Sequence, residues 1–234
     1  TNFALMKLVS EGLLNINKPV QSYLPEYKGD GRELRTVKNL LTHTAGYPPV
    51  FDFHRKGAKT GDAYFSQNSQ TTKQLLLTQV PLSNKYPAQA VYSDIDYMIL
   101  GVLVERITGQ PLDDYLEQHI YAPLKLTNTV FNPLKKGFIR SEFAATELSG
   151  NTRDGRIEFD NIRTNVLQGE VHDERAFYSF DGVAGHAGLF SNAPDLAVLC
   201  QVLLNQGGFG NNQLFSASTL AQFLTPQLNN ETYG

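Results

Sequence analysis

Cysteine is almost absent from this chain of 234 residues: Cys200 is the one thiol, so no internal disulfide can form. It falls in an apolar helical pattern and reads as buried filler. A lone thiol suits the cytoplasm and equally an exported protein that avoids thiols. Excess positive charge is missing too: 20 Lys+Arg stand against 23 Asp+Glu, a net charge of -3. That excludes the basic footprint of a nucleic-acid binder and the polybasic block of a lipid-surface binder. The longest apolar run, Met98 to Val104 with Gly101 inside it, is too short to cross a bilayer. The opening residues, Thr1 to Met6, carry neither the basic flank nor the cleavage site of a secretory leader. There is no Gly-x-Ser-x-Gly elbow, no His-Glu-x-x-His, no phosphate loop and no dinucleotide fingerprint. No lysine has a serine three residues before it.

What is present suffices for a folded core: 41% of the residues are hydrophobic and 18% charged. Phe3, Leu5, Leu8 and Val9 recur at helical spacing, and Gly12 ends that helix. Thr36 is placed to cap a short helix carrying Val37, Leu40 and Leu41, which stops at Gly46 before Pro48-Pro49. Phe51 to Ser69 has no period and reads as a loop, with a short helix at Thr72 to Val80. The clearest helix follows Asp94, ends at Gly109, and is succeeded by another opened by Pro111. Phe131 to Asp181 is irregular, which suggests short strands or a functional excursion. Ser191 or Asn192 caps a strong helix with Leu196, Leu199, Val202 and Leu203, ending at Gly207-Gly208. A last helix spans Ser218 to Leu224. No repeat or linker divides the chain, and confident strands are few. The pattern is that of the helical part of a domain whose sheet lies elsewhere.

The most informative segment is Val91-Tyr92-Ser93-Asp94-Ile95-Asp96-Tyr97, a loop entering a helix, followed by Leu100-Gly101, Glu105 and Thr108-Gly109. It resembles the Tyr-x-Asn region of the serine β-lactamase and penicillin-binding-protein-like family, class C type. Four further segments agree in order. They are Leu8-Val9-Ser10-Glu11-Gly12 through Tyr23-Leu24-Pro25; Leu40-Leu41-Thr42-His43-Thr44-Ala45-Gly46; Pro123-Leu124-Lys125-Leu126-Thr127-Asn128-Thr129; and Gly185-His186-Ala187-Gly188-Leu189-Phe190-Ser191 through Asp195-Leu196. Val171-His172-Asp173-Glu174 looks like the exported branch that holds proteins named as D-alanyl-D-alanine carboxypeptidases.

The resemblance implies an α+β fold, a helical cluster on an antiparallel sheet, with residues 1–234 the central part of one domain. It places the family's Ser-x-x-Lys about seven residues ahead of Thr1 and its third motif beyond Asp195-Leu196. Lys59-Thr60-Gly61 and His186-Ala187-Gly188 share letters with that third motif but stand in the wrong places; the latter matches the family's turn before a helix. The implied chemistry is an acyl-serine hydrolase of D-alanyl-D-alanine peptides, without metal or organic cofactor. The implied partners are peptidoglycan peptides or small acyl substrates, with β-lactams as candidates and no nucleic acid. The implied location is extracytoplasmic, with any membrane tether in residues ahead of Thr1. An esterase or β-lactamase on the same scaffold, or an inactive binding homologue, is the alternative.

Within that frame Tyr92 matches the family's proton-transfer tyrosine. A phenol with a pKa near ~10 needs adjacent positive charge to serve as a base. The plain alternative is a tyrosine packed at a loop end. Asp94 stands where the family has asparagine. It offers acceptors only and opposes a phenolate on Tyr92, or it is simply the N-cap of the helix. His186 is a candidate at the cleft edge, or a ring bonded to a carbonyl. His172, Asp173, Glu174 and His186 lack metal-site spacing and read as a hydrogen-bonded loop made tight by Gly182, Gly185 and Gly188. His43 reads as satisfying a helix end; His54 and His119 carry no signal.

Overall fold

A computed structural model describes residues 1–83 and 88–228. Its centre is α4, Asp94–Thr108, whose residues from Met98 to Val104 are all buried. Ser93 caps it, its hydroxyl accepting the Ile95 amide, and left-handed Gly109 ends it. Around it pack α2 (Val37–Leu41), α3 (Ser69–Thr78) and α5 (Leu112–Leu116). Pro111 is the cap of α5 rather than its first residue, and a π turn, Glu117–Tyr121, continues it. α1 (Asn2–Ser10) lies against α5 and against α8 (Ala217–Leu224). α6 (Glu174–Ser179) and α7 (Ala193–Leu204) complete the described helices.

The strands are short and pair antiparallel: β1 (Val130–Phe131) with β4 (Leu189–Phe190), β2 (Ala145–Glu147) with β3 (Leu167–Gln168), and β5 (Gly208–Phe209) with β6 (Asn212–Gln213). The irregular stretch from Phe131 to Asp181 thus holds the β2–β3 pair, 3-10 turns and α6. Mainly helical, with small antiparallel sheets, this is the α+β arrangement expected.

The capping signals behave as local chemistry predicts. The Thr36 hydroxyl accepts the Asn39 amide, and Asn39 Oδ1 accepts the Thr36 amide. Asn192, not Ser191, caps α7 by accepting the Asp195 amide. Cys200 corrects its expectation, for it is exposed. Helical periodicity identifies an apolar stripe on α7, but the described residues bury only Asp195 and Val202 of that helix. No helix of the described residues is long and apolar enough to cross a membrane.

Candidate active site

The site is built where the loop before α4 meets the glycine loop at 182–188. Gly185 allows that meeting: a Cβ there would lie 1.9 Å from the Tyr97 carbonyl oxygen. Gly101 answers it, since a Cβ on Gly101 would lie 2.9 Å from the Gly185 amide nitrogen. The Thr1 hydroxyl donates to the Gly185 carbonyl at 2.5 Å, so the start of α1 reaches the same point. The Gly101 and Gly185 backbones therefore meet with no side chain between them, and the Thr1 hydroxyl ties the start of α1 to the same point.

Tyr92 stands on the rim, 49% exposed, with its ring against that of buried His43 (centroids 4.7 Å apart). The Tyr92 phenol is pushed above its ordinary value, first by burial and then by the charge of Asp94 and a hydrogen bond to it. Its described surroundings thus favour the neutral phenol, in the direction expected of an aspartate at this position. Asp94 is the first residue of α4, not its cap. Ser93 caps the helix, which leaves the Asp94 carboxylate free to face Tyr92 and Arg175.

Arg175 organises the acidic side of the site. Its guanidinium lies 2.9 Å from Asp52, 3.4 Å from Asp173 and 3.9 Å from Asp94. Asp173 caps α6 by accepting the Ala176 amide at 2.8 Å. Its other close partner is His186, Nε2 to Oδ1 at 3.1 Å. Burial alone would raise the Asp173 carboxyl. The His186 hydrogen bond, the Ala176 amide and Arg175 hold it well below the usual carboxylate range. Asp52 is likewise lowered: burial opposes the shift, and Arg175 and Arg55 win.

Ligand atoms of Asp94, Asp173 and His186 lie within 4.8 Å of one another, close enough to share a cation, and Arg175 supplies positive charge beside them. His172 and Glu174 go elsewhere. The His172 carbonyl accepts from Asn151, and Glu174 pairs with Arg153. His186 corrects the carbonyl expectation, because its ring meets a carboxylate and its Nδ1 is buried without a hydrogen-bond partner. His43 meets the end of α2 through its amide, which donates to the Leu40 carbonyl, while its ring reaches the first turn of α4 and meets Asp96. Arg175 and Asp96 escaped the sequence reading. The Arg175–Asp52 partners are 123 residues apart and the His43–Asp96 partners 53, so no local spacing links them.

An open cleft of about 540 Å³ adjoins Asp173, lined by Arg153, Glu170, His172, Glu174 and Ser191 among others. A larger depression of about 880 Å³ lies far along α4, where Lys73–Glu105 and Arg106–Glu26 already pair their charges. Glu26 and Arg106 in the larger depression are shifted by their own ion pair, whereas the smaller cleft adjoins Asp173 and through it His186 and Arg175, and it is the better candidate for a substrate channel.

The profile of the beta-lactamase family matches residues 1–234. The chain is 50% identical to the N-acetylmuramyl-L-alanine amidase of Bacillus subtilis (strain 168) over 239 residues, covering 100% of this chain and 54% of that protein. It is 48% identical to a "Putative D-alanyl-D-alanine carboxypeptidase" of Escherichia coli (strain K12), covering 100% of this chain and 55% of that protein. It therefore spans about half the length of these curated relatives. Among solved structures it is similar to the octameric penicillin-binding protein homologue from Pyrococcus abyssi (TM-score 0.65, 19% identity, 97% of this chain and 47% of that one). It is also similar to the D-amino acid amidase from Ochrobactrum anthropi SV3 (TM-score 0.63, 18% identity, 94% and 56%). At those identities the likeness is one of fold.

Proposed function

We propose, from the premise that this chain belongs to the beta-lactamase family, that it carries the proton-transfer side of an acyl-serine hydrolase acting on D-alanyl-D-alanine peptides of peptidoglycan. The observation that carries the reading is Tyr92: an accessible phenol on the rim, backed by His43 and flanked by Asp94. These 234 residues contain no Ser-x-x-Lys and span about half the length of the curated relatives, so we assign the nucleophilic serine and its lysine to the remainder of a longer protein.

In the proposed step the serine oxygen bonds to the scissile carbonyl carbon, and the carbon–nitrogen bond breaks. The serine proton reaches the leaving amine through Tyr92. Water then releases the acyl group and regenerates the serine. Asp94 orients the phenol by accepting its hydrogen and disfavours a standing phenolate. Tyr92 thus relays a proton rather than holding a negative charge, unless a neighbouring ammonium offsets Asp94. A peptidoglycan substrate lies outside the cytoplasm, and an extracytoplasmic location is part of this proposal.

A second reading has its own support. The Bacillus subtilis relative is named for cleaving the amide between muramic acid and L-alanine, so the acyl donor here is the lactyl group instead. Incubating the complete parent protein with a D-alanyl-D-alanine-terminated peptide and with a muramyl peptide separates the two. Release of D-alanine supports the first reading, and release of a free peptide amine supports the second. Loss of neither product on changing Tyr92→Phe would overturn both.

A further inference from the structure

We infer that His43 and Asp96 form a buried positioning pair that sets the pose of the Tyr92 phenol, an inference that rests on the reading of Tyr92 as the proton-transfer residue. One residue, His43, touches nearly every position of the Tyr92 segment. Its carbonyl accepts the Val91 amide at 2.9 Å. Its ring faces Tyr92 at 4.7 Å and Tyr97 at 5.3 Å between centroids. Its Nδ1 lies 3.2 Å from the Ser93 amide and 3.0 Å from Asp96 Oδ2. To make these contacts the backbone of His43 takes φ +55°, a left-handed conformation that costs a residue with a side chain.

The Nδ1 contacts are mutually dependent. A ring nitrogen either carries a hydrogen or offers a lone pair. With the hydrogen present it donates to Asp96, and the Ser93 amide loses its acceptor. Without it the nitrogen accepts from Ser93, and Asp96 must hold the proton. The state of the pair is thereby tied to the backbone one residue beyond Tyr92.

Packing alone does not account for this arrangement. Asp96 is fully buried, and its second oxygen, Oδ1, has no hydrogen-bond partner. A half-satisfied carboxyl in an apolar core is costly, and an apolar pair of similar volume serves stability as well or better. What the polar pair adds is a fixed ring under Tyr92, locked from below by an anchor on the first turns of α4.

The test uses the complete parent protein with 3-fluorotyrosine placed at position 92. His43→Ala risks unfolding, so His43→Asn is the main variant: asparagine tolerates the left-handed backbone and keeps a polar atom toward Asp96, but removes the ring. Turnover of a D-alanyl-D-alanine-terminated peptide should fall roughly tenfold or more in kcat, with KM within about twofold, as expected of a misplaced reacting group. The fluorine resonance should move. Asp96→Asn should restore most of the kcat that Asp96→Ala loses. Unchanged kcat and an unmoved resonance in His43→Asn would overturn the positioning role. A moved resonance together with full activity in Tyr92→Phe would instead overturn the role of Tyr92 while leaving the pair's hold on the ring intact.

Discussion

Burial pushes the Asp96 carboxyl up to about 6, despite the opposing hydrogen bond with His43, against about 4 for an exposed aspartate. Between those values the folded chain holds a proton that the unfolded chain has released. Its contribution to stability is therefore fully present below about pH 4 and lost as pH rises through about 6. Asp173 runs the other way: its lowered carboxyl contributes above about pH 4 and loses that contribution as pH falls. Asp96→Asn isolates the first effect. The stability of the wild type relative to this variant should drop by on the order of 3 kcal/mol between about pH 4 and pH 7, read from urea unfolding at each pH. A difference that does not change with pH would show that Asp96 ionises like an exposed carboxylate despite its burial. Neither carboxyl announces its behaviour in the sequence, where Asp96 is one of several acidic residues near a helix start. The direction of each shift is set by what the fold brings around the carboxyl: burial in the core for Asp96, which outweighs His43, and His186 with Arg175 for Asp173.

The elements themselves follow from local signals wherever the decisive chemistry sits within a few residues. Thr36 with Asn39, Asn192 with Asp195, and Gly109 with the last turn of α4 are all short-range devices, and each appears where the residues predict it. The site elements were less legible. Asp94 was a reasonable cap by residue type, yet Ser93 takes that place because its hydroxyl also donates to the Pro48 carbonyl at 2.6 Å. That second bond spans 45 residues and decides between two adequate caps. Removing it should be felt twice: Ser93→Ala should cost about 1–2 kcal/mol in unfolding free energy, from the lost cap and the stranded carbonyl. The glycine loop gives a sharper test of element packing. Ala at position 185 would press its Cβ into the Tyr97 carbonyl, so Gly185→Ala should lose roughly 3 kcal/mol or more. Gly57→Ala meets no neighbouring atom, and its positive φ alone should cost about 1–2 kcal/mol. Equal losses in chemical denaturation would mean that the close approach of the glycine loop to α4 is not what holds the site together.

At the scale of the whole molecule the informative feature is α7. Its sequence has the apolar stripe of a core helix, yet Leu196 and Leu204 are exposed, the latter 77% so, and Cys200 is exposed beside them. Leu189, on the strand just before the helix, is exposed as well. Periodicity names one packed face, where Val198, Leu199, Val202 and Leu203 meet the core, but the apolar arc of the helix runs on past it to Leu196, Cys200 and Leu204. That is why Cys200 reads as filler in the sequence and proves accessible in the fold. Contiguous exposed apolar residues favour association, so the 234-residue chain alone should bury this face against other copies as its concentration rises. Cys200 reports the event directly. In dilute native buffer it should react with a disulfide reagent in full, without denaturant, and its rate should fall as the chain is concentrated. Leu204→Glu should abolish the concentration dependence and leave the dilute rate unchanged, because a charge at the most exposed position opposes apolar contact without touching the core. A thiol that stays unreactive in dilute native buffer would return Cys200 to the interior, and with it the reading of α7 as an ordinary core helix.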